Sequence, residues 1–383
     1  RVLVTVSPHI EDTFPTIATP RSERIETLAP SLFVMSSHFT PKYYRTLRRY
    51  GIDSVIAMHF AGLWWRRAGE GFAMRWRPRP ELSEQDVSQY RADIKSLGYE
   101  WGMLVNYTCY FPLNEYWDEN LCALDPLGRL ADGWYGHYDT KPNAMARLAR
   151  TVGEKIRERY PTDCVYLDVH TNWGGSAVDY EAGVEGAGTA RATILGNAEC
   201  LREVHNQHRA LCSEGIRRWM YAGLADMDYA QWVDVIKPEN KLLLPDFDLL
   251  RIHPKQIGTA MGYSPTCFFS EEGLKEYSRD PGRGTDHQPF YHYVAATLAH
   301  GHSALFGYGY FPSLARTLHY YALLSGPQED YLPDTVANIA WYSEPQGRFI
   351  STSNALRSGV REDGKLRVTY SGGQVAYVNY HAK

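Results

Sequence analysis

The stretch Cys164-Val-Tyr-Leu-Asp-Val-His170 decides the reading of this chain. Four apolar residues end on a carboxylate, the pattern of a short buried strand whose C-terminal tip carries chemistry. Period-two alternation puts Cys164, Tyr166, Asp168 and His170 on one side, so an inward Asp168 brings Tyr166 and His170 with it. Working outward, a helical pattern over 143–160 leads into this strand through Pro161, and another over 190–208 leads into Ala210-Leu-Cys-Ser-Glu214. The same helix-then-strand order recurs: 41–50 into 54–59, 83–97 into 99–106, 229–236 into 242–244, and 289–300 into 303–306, with a helix over 312–324. Six such units predict an α/β protein with a parallel sheet, and a (β/α)8 TIM-like barrel above all. A doubly wound open sheet is the competing architecture, but no GxGxxG follows the first strands. Near the C-terminus, Leu366-Arg-Val-Thr-Tyr370 and Gln374-Val-Ala-Tyr-Val-Asn-Tyr380 flank Ser371-Gly-Gly373 and predict a hairpin opening an antiparallel β-domain. The expected division is an N-terminal extension over 1–30, a catalytic barrel over 31–345 and the start of a β-domain over 346–383.

Composition narrows the function. The 383 residues are 44% hydrophobic and 22% charged with a formal net charge of -4, so they carry no basic footprint for nucleic acid. No apolar run reaches the roughly 20 residues of a membrane helix. The six cysteines form no CxxC pair, which argues against a zinc ribbon, a redox motif or a disulfide scaffold. Aromatic content is 13%, led by 28 Tyr and 10 Trp, which suits either a core or flat faces for stacking on sugar rings. The chain starts at Arg1 without an initiator Met, which leads us to expect a fragment of a larger protein. Export would suit a polysaccharide or glycoprotein substrate.

In a barrel the active site gathers at the C-terminal strand ends, where Asp168 and Glu214 stand. Two carboxylates on neighbouring strand tips meet the needs of glycosidic cleavage: one attacks or stabilises the anomeric carbon, the other protonates the leaving oxygen. Their separation decides between retention and inversion. The bland alternative is a pair of strand-end carboxylates that cap loops or pair with Arg217 or Arg218. Asn106, His170 and Trp173 are the expected sugar-subsite residues, with Tyr166, His59 and Asp248 behind them. Asp246 and Asp248 lack the oxygen-rich remainder of a calcium loop. His300-Gly-His302 precedes its strand, at the wrong end of a barrel for chemistry. No GxSxG elbow, P-loop or HExxH is present. The rival readings are a non-catalytic carbohydrate-binding barrel and a metal-assisted barrel hydrolase built around His170, His253 and Asp168.

Several segments together resemble the catalytic domain of the endo-α-N-acetylgalactosaminidases, glycoside hydrolase family 101. They are Gly102-Met-Leu-Val-Asn106, Tyr110-Phe-Pro-Leu-Asn-Glu115, Gly133-Trp-Tyr135, Val165-Tyr-Leu-Asp-Val169, Leu244-Pro-Asp-Phe-Asp-Leu249 and the closing Tyr-Val-Asn-Tyr380. The resemblance implies Asp168 as nucleophile, Glu214 as acid/base, an α-linked oligosaccharide or glycoconjugate substrate, retention of configuration, and no cofactor or obligatory metal. Cys109 stands where that family carries an acidic residue, and the segment between Asp168 and Glu214 is longer, so the sugar stays open.

Overall fold

In a computed structural model, the residues described are 22–36, 41–59, 75–133, 136–171, 178–214, 218–228 without 222, and 314–379 without 335, with isolated positions in 4–12 and 291–307. In chain order the elements are α1 (Ile25–Leu28), β1 (Leu32–Ser36), α2 (Pro41–Arg49), β2 (Val55–His59), α3 (Glu84–Ser96), β3 (Glu100–Val105), β4 (Cys109–Tyr110), β5 (Tyr138–Asp139), α4 (Pro142–Arg159), β6 (Cys164–Leu167), α5 (Ala190–Gln207), β7 (Leu211–Ser213), β8 (Met227–Asp228) and β9 (Leu305–Gly307). They are followed by α6 (Leu314–Tyr331), β10 (Val336–Ser343), β11 (Arg348–Ser351), α7 (Thr352–Ser358), β12 (Lys365–Tyr370) and β13 (Val375–Asn379).

Local chemistry sets the helix ends. Ser83 caps α3 in a reciprocal box, its hydroxyl accepting the Asp86 N–H while Asp86 accepts the Ser83 N–H. The helix stops where Gly98 takes φ +81°, a backbone state that suits glycine. Pro142 opens α4, where its missing N–H costs nothing, and the Thr189 hydroxyl caps α5. These two helices lie against each other so closely that a Cβ on Gly196 would clash with the Pro142 carbonyl oxygen.

The chain divides into two compact units. In the first, 31–227 with 306–309, strands lie in the order β8-β7-β6-β3-β2-β1-β9. Neighbours from β1 through β2, β3 and β6 to β7 are parallel. Chain order runs outward from β1 through β2, β3, β6 and β7 to β8, and β9 lies on the other side of β1. This is a curled parallel half-barrel flanked by helices. β2 and β6 are buried at every position, as expected of strands covered on both faces. The helix expected over 229–236 and the strand over 242–244 lie outside the described residues.

In the second unit (1–30, 228–305 and 310–383) the sheet order is β11-β10-β12-β13, all antiparallel. It begins at Val336, so the boundary expected at 345 falls inside this sheet; the hairpin expected around Ser371-Gly-Gly373 is its β12–β13 pair, with two further strands before it. β12 alternates half-buried and buried residues, the pattern of a one-sided sheet. Its inner face joins Ile339, Trp341, Leu366, Val368 and Tyr370 in one core with Tyr331 of α6 and with Ala29, so part of the expected N-terminal extension packs here.

Candidate active site

β6 ends at Leu167 and β7 at Ser213, so Asp168 and Glu214 are the first residues beyond two adjacent parallel strands. Leu104 pairs in register with Tyr166, and Tyr166 with Cys212, so these three share a face. Two residues further on, alternation carries Asn106, Asp168 and Glu214 to that same face. Side-chain contacts agree. Asn106 donates through Nδ2 to Asp168 Oδ2 at 3.5 Å, while its Oδ1 accepts from the Thr108 N–H (2.8 Å) and hydroxyl (2.7 Å). Those two donors fix the amide so that its NH2 faces the carboxylate. Ser213 donates its hydroxyl to the Leu167 carbonyl at 2.7 Å and accepts one from Thr171 at 2.9 Å, tying the two strand ends together.

The backbone turns sharply after Asp168. Val169 has φ +56°, the sole non-glycine among the described residues in the left-handed region, and the His170 N–H closes a three-residue turn on the Asp168 carbonyl at 2.8 Å. A β-branched residue there is strained by roughly 1–3 kcal/mol, and such strain clusters at functional sites. The Asp168 side chain is buried, 7% exposed, and burial pushes its carboxyl well above the usual range. The negative charge of Glu214 pushes the same way, opposed by the Asn106 and Val169 donors. Two carboxylates that repel one another are relieved when one of them takes a proton. That state supplies one nucleophile and one acid. The donors at Asp168 favour its ionised form.

Two expected subsite residues are placed elsewhere. His170 is fully enclosed, and both ring nitrogens are engaged: Nε2 accepts the Tyr107 N–H at 3.2 Å, and Nδ1 lies 2.7 Å from Asn197 Oδ1. It therefore has no nitrogen left for a sugar or a metal, and burial lowers its pKa to about 4. The turn at Val169 broke the alternation that aligned it with Asp168. His59 pairs with Met103, on the face opposite Leu104, and packs edge-on against Tyr90 of α3 at 4.6 Å. It belongs to helix–sheet packing, and burial lowers its pKa to about 3. Tyr166 is buried on the carboxylate face beneath Asp168. Trp173, Asp246, Asp248, His253, His300 and His302 lie outside the described residues. Among the described residues no group of three or more His, Cys, Asp or Glu is placed to hold a metal, and no helix is long and apolar enough to cross a membrane.

Sequence reasoning passed over Thr108, Thr171, Asn197 and Ser213, all of which hold the carboxylate ends in place. It also passed over Asp139, opposite Cys109 in the β4–β5 ladder, whose carboxyl is pushed up to about 7 by burial and by Asp132. The one available signal was their position at or shortly after a strand end or, for Asn197, a polar residue on an otherwise apolar helix face.

No family model and no curated protein matches the chain. Among solved structures it is similar to the α-N-acetylgalactosaminidase NagBb from Bifidobacterium bifidum. The ligand-free form gives a TM-score of 0.63 at 12% identity over 94% of this chain and 58% of that one. Its GalNAc complex gives 0.66 at 12% identity over 94% and 57%. A GH36 α-galactosidase, AgaA from Geobacillus stearothermophilus, gives 0.54 at 12% identity over 91% and 49%. The chain thus spans between about half and three-fifths of these proteins' length. At such identities the likeness is one of fold alone, and it does not single out family 101.

Proposed function

We propose that this chain carries the catalytic centre of a retaining α-glycoside hydrolase, on a barrel that closes with eight strands. Asp168 attacks the anomeric carbon while Glu214 gives its proton to the glycosidic oxygen, so the aglycone leaves as an alcohol and a glycosyl ester remains on Asp168. Glu214, now ionised, takes a proton from water, whose oxygen attacks the same carbon and releases the Asp168 carboxylate. Asn106 holds one Asp168 oxygen, and Trp173 and Asp248 are assigned to sugar contact. The observation that carries this reading is the pair itself: two carboxyls at the tips of adjacent parallel strands, on one face, each within reach of the other's charge.

The resemblance to family 101 supports an α-linked oligosaccharide or glycoconjugate as substrate. The solved neighbours act, by name, on α-N-acetylgalactosaminides and α-galactosides, so aryl glycosides of those two sugars are the first to try. The test is proton NMR of a cleavage reaction caught before mutarotation. The α-anomer as first product supports double displacement. The β-anomer, or binding without hydrolysis across both aryl α-glycosides, rejects it.

A further inference from the structure

We propose that Asn197 and His170 are a positioning pair that fixes the distance between Asn106 and the Asp168 carboxylate; this rests on Asp168 being the nucleophile. The Tyr107 backbone N–H points at His170 Nε2 from 3.2 Å. A donor needs a lone pair opposite it, so Nε2 is bare and the ring proton sits on Nδ1, donated to Asn197 Oδ1 at 2.7 Å. One neutral ring thereby joins three elements: the residue after Asn106 at the end of β3, the turn after Asp168 at the end of β6, and the inner face of α5. Both side chains are buried, His170 at 0% and Asn197 at 2% exposure. Water is not at hand to replace either bond.

The contact that this ring sets is a sensitive one. Asn106 reaches Asp168 at 3.5 Å, the outer limit of a hydrogen bond, so a shift of a few tenths of an ångström breaks it. The turn also holds Val169 at φ +56°, a state that persists only where surrounding bonds over-determine it. Without the Asn197 acceptor the ring is free to carry its proton on Nε2. Two N–H groups would then face each other across the β3–β6 gap, and the ends would move apart.

The test compares Asn197→Leu, which removes the acceptor at similar volume, with Asn197→Asp, which keeps one. On an aryl α-glycoside, N197L is expected to lose about 10- to 100-fold in kcat with KM changed by less than about threefold, the pattern of a misplaced catalytic group. N197D is expected to stay within about threefold of the parent. Nitrogen-15 NMR of histidine-labelled protein, with the His170 signals assigned through their loss in His170→Asn, should show protonated Nδ1 and bare Nε2. An N197L kcat within twofold of the parent, or the Nε2–H tautomer, overturns the proposal. An equal loss in N197L and N197D also overturns it, since it points to lost packing. A protein that cleaves no α-glycoside yet shows the Nδ1–H tautomer retains the clamp and rejects the catalytic reading instead.

Discussion

The two sheets of this chain bury themselves differently. In the parallel sheet β2 and β6 are buried at every position, and polar chemistry appears where the strands stop. Asp168 and Asn106 are both buried there, and the backbone after Asp168 is strained. In the antiparallel sheet β12 alternates, the inner face is apolar, and the buried Trp341 satisfies its indole N–H on Thr352 at 2.9 Å. One sheet thus spends stability at its strand ends to hold charges away from water, while the other only gains from burial. The difference separates substitutions that should harm activity from those that should harm folding.

The largest expected effect is on turnover. Asp168→Asn should lower kcat by about a thousandfold or more, roughly 4 kcal/mol in the barrier. The same variant should unfold at a higher temperature near neutral pH, because it removes a carboxyl whose ionised form burial and Glu214 both disfavour. A variant that is both inactive and markedly less stable would erase the contrast between the sheets. On the other side, Trp341→Ala should cost about 3–5 kcal/mol in denaturant unfolding of the second unit. Near-parental stability there would break the comparison.

Next comes pH. His59, His170 and His208 are lowered to about 3, 4 and 4, chiefly by burial. A depressed histidine is neutral when folded and takes up a proton on unfolding, so its contribution is full above pH 6.5 and is lost as pH falls toward 4. The raised Asp168 acts in the opposite sense, since burial makes its folded form hold a proton to higher pH than the unfolded chain does. Chemical denaturation between pH 4 and 6.5 should therefore show falling stability on acidification, more steeply in D168N than in the parent. A flat profile for D168N would contradict the burial of these rings. The smallest effect is at the strained turn. Val169→Gly should change stability by no more than about 1 kcal/mol, whereas Val165→Gly within β6 should cost several times that. Equal losses would remove the case for strain after Asp168.

Much of this was legible in the residues. Helices α2 to α5 announce themselves through Pro41, Ser83, Pro142 and Thr189, with Gly51 and Gly98 stopping the first two, all local signals. That Asp168 and Glu214 stand just past strand ends was legible because each closes a short apolar run. What failed was parity. A strand buried on both faces shows no alternation, so nothing in Val55-Ile-Ala-Met-His59 tells that His59 faces Tyr90 of α3. His170 failed for a different reason: a left-handed valine is invisible in composition, and it turned the ring toward α5. The start of β10 at Val336 was hidden too, since Trp341 and Tyr342 suit the end of a barrel as well as an antiparallel strand.

The central claim is that Asp168 forms a covalent bond to the sugar. Incubating the protein with a fluorinated α-glycosyl fluoride of galacto configuration, which slows breakdown of the intermediate, and mapping the labelled peptide by mass spectrometry tests it directly. The account predicts one glycosyl unit added per chain, on the peptide that contains Asp168. A label on Glu214, or no label while the protein turns over its substrate with inversion, would contradict it.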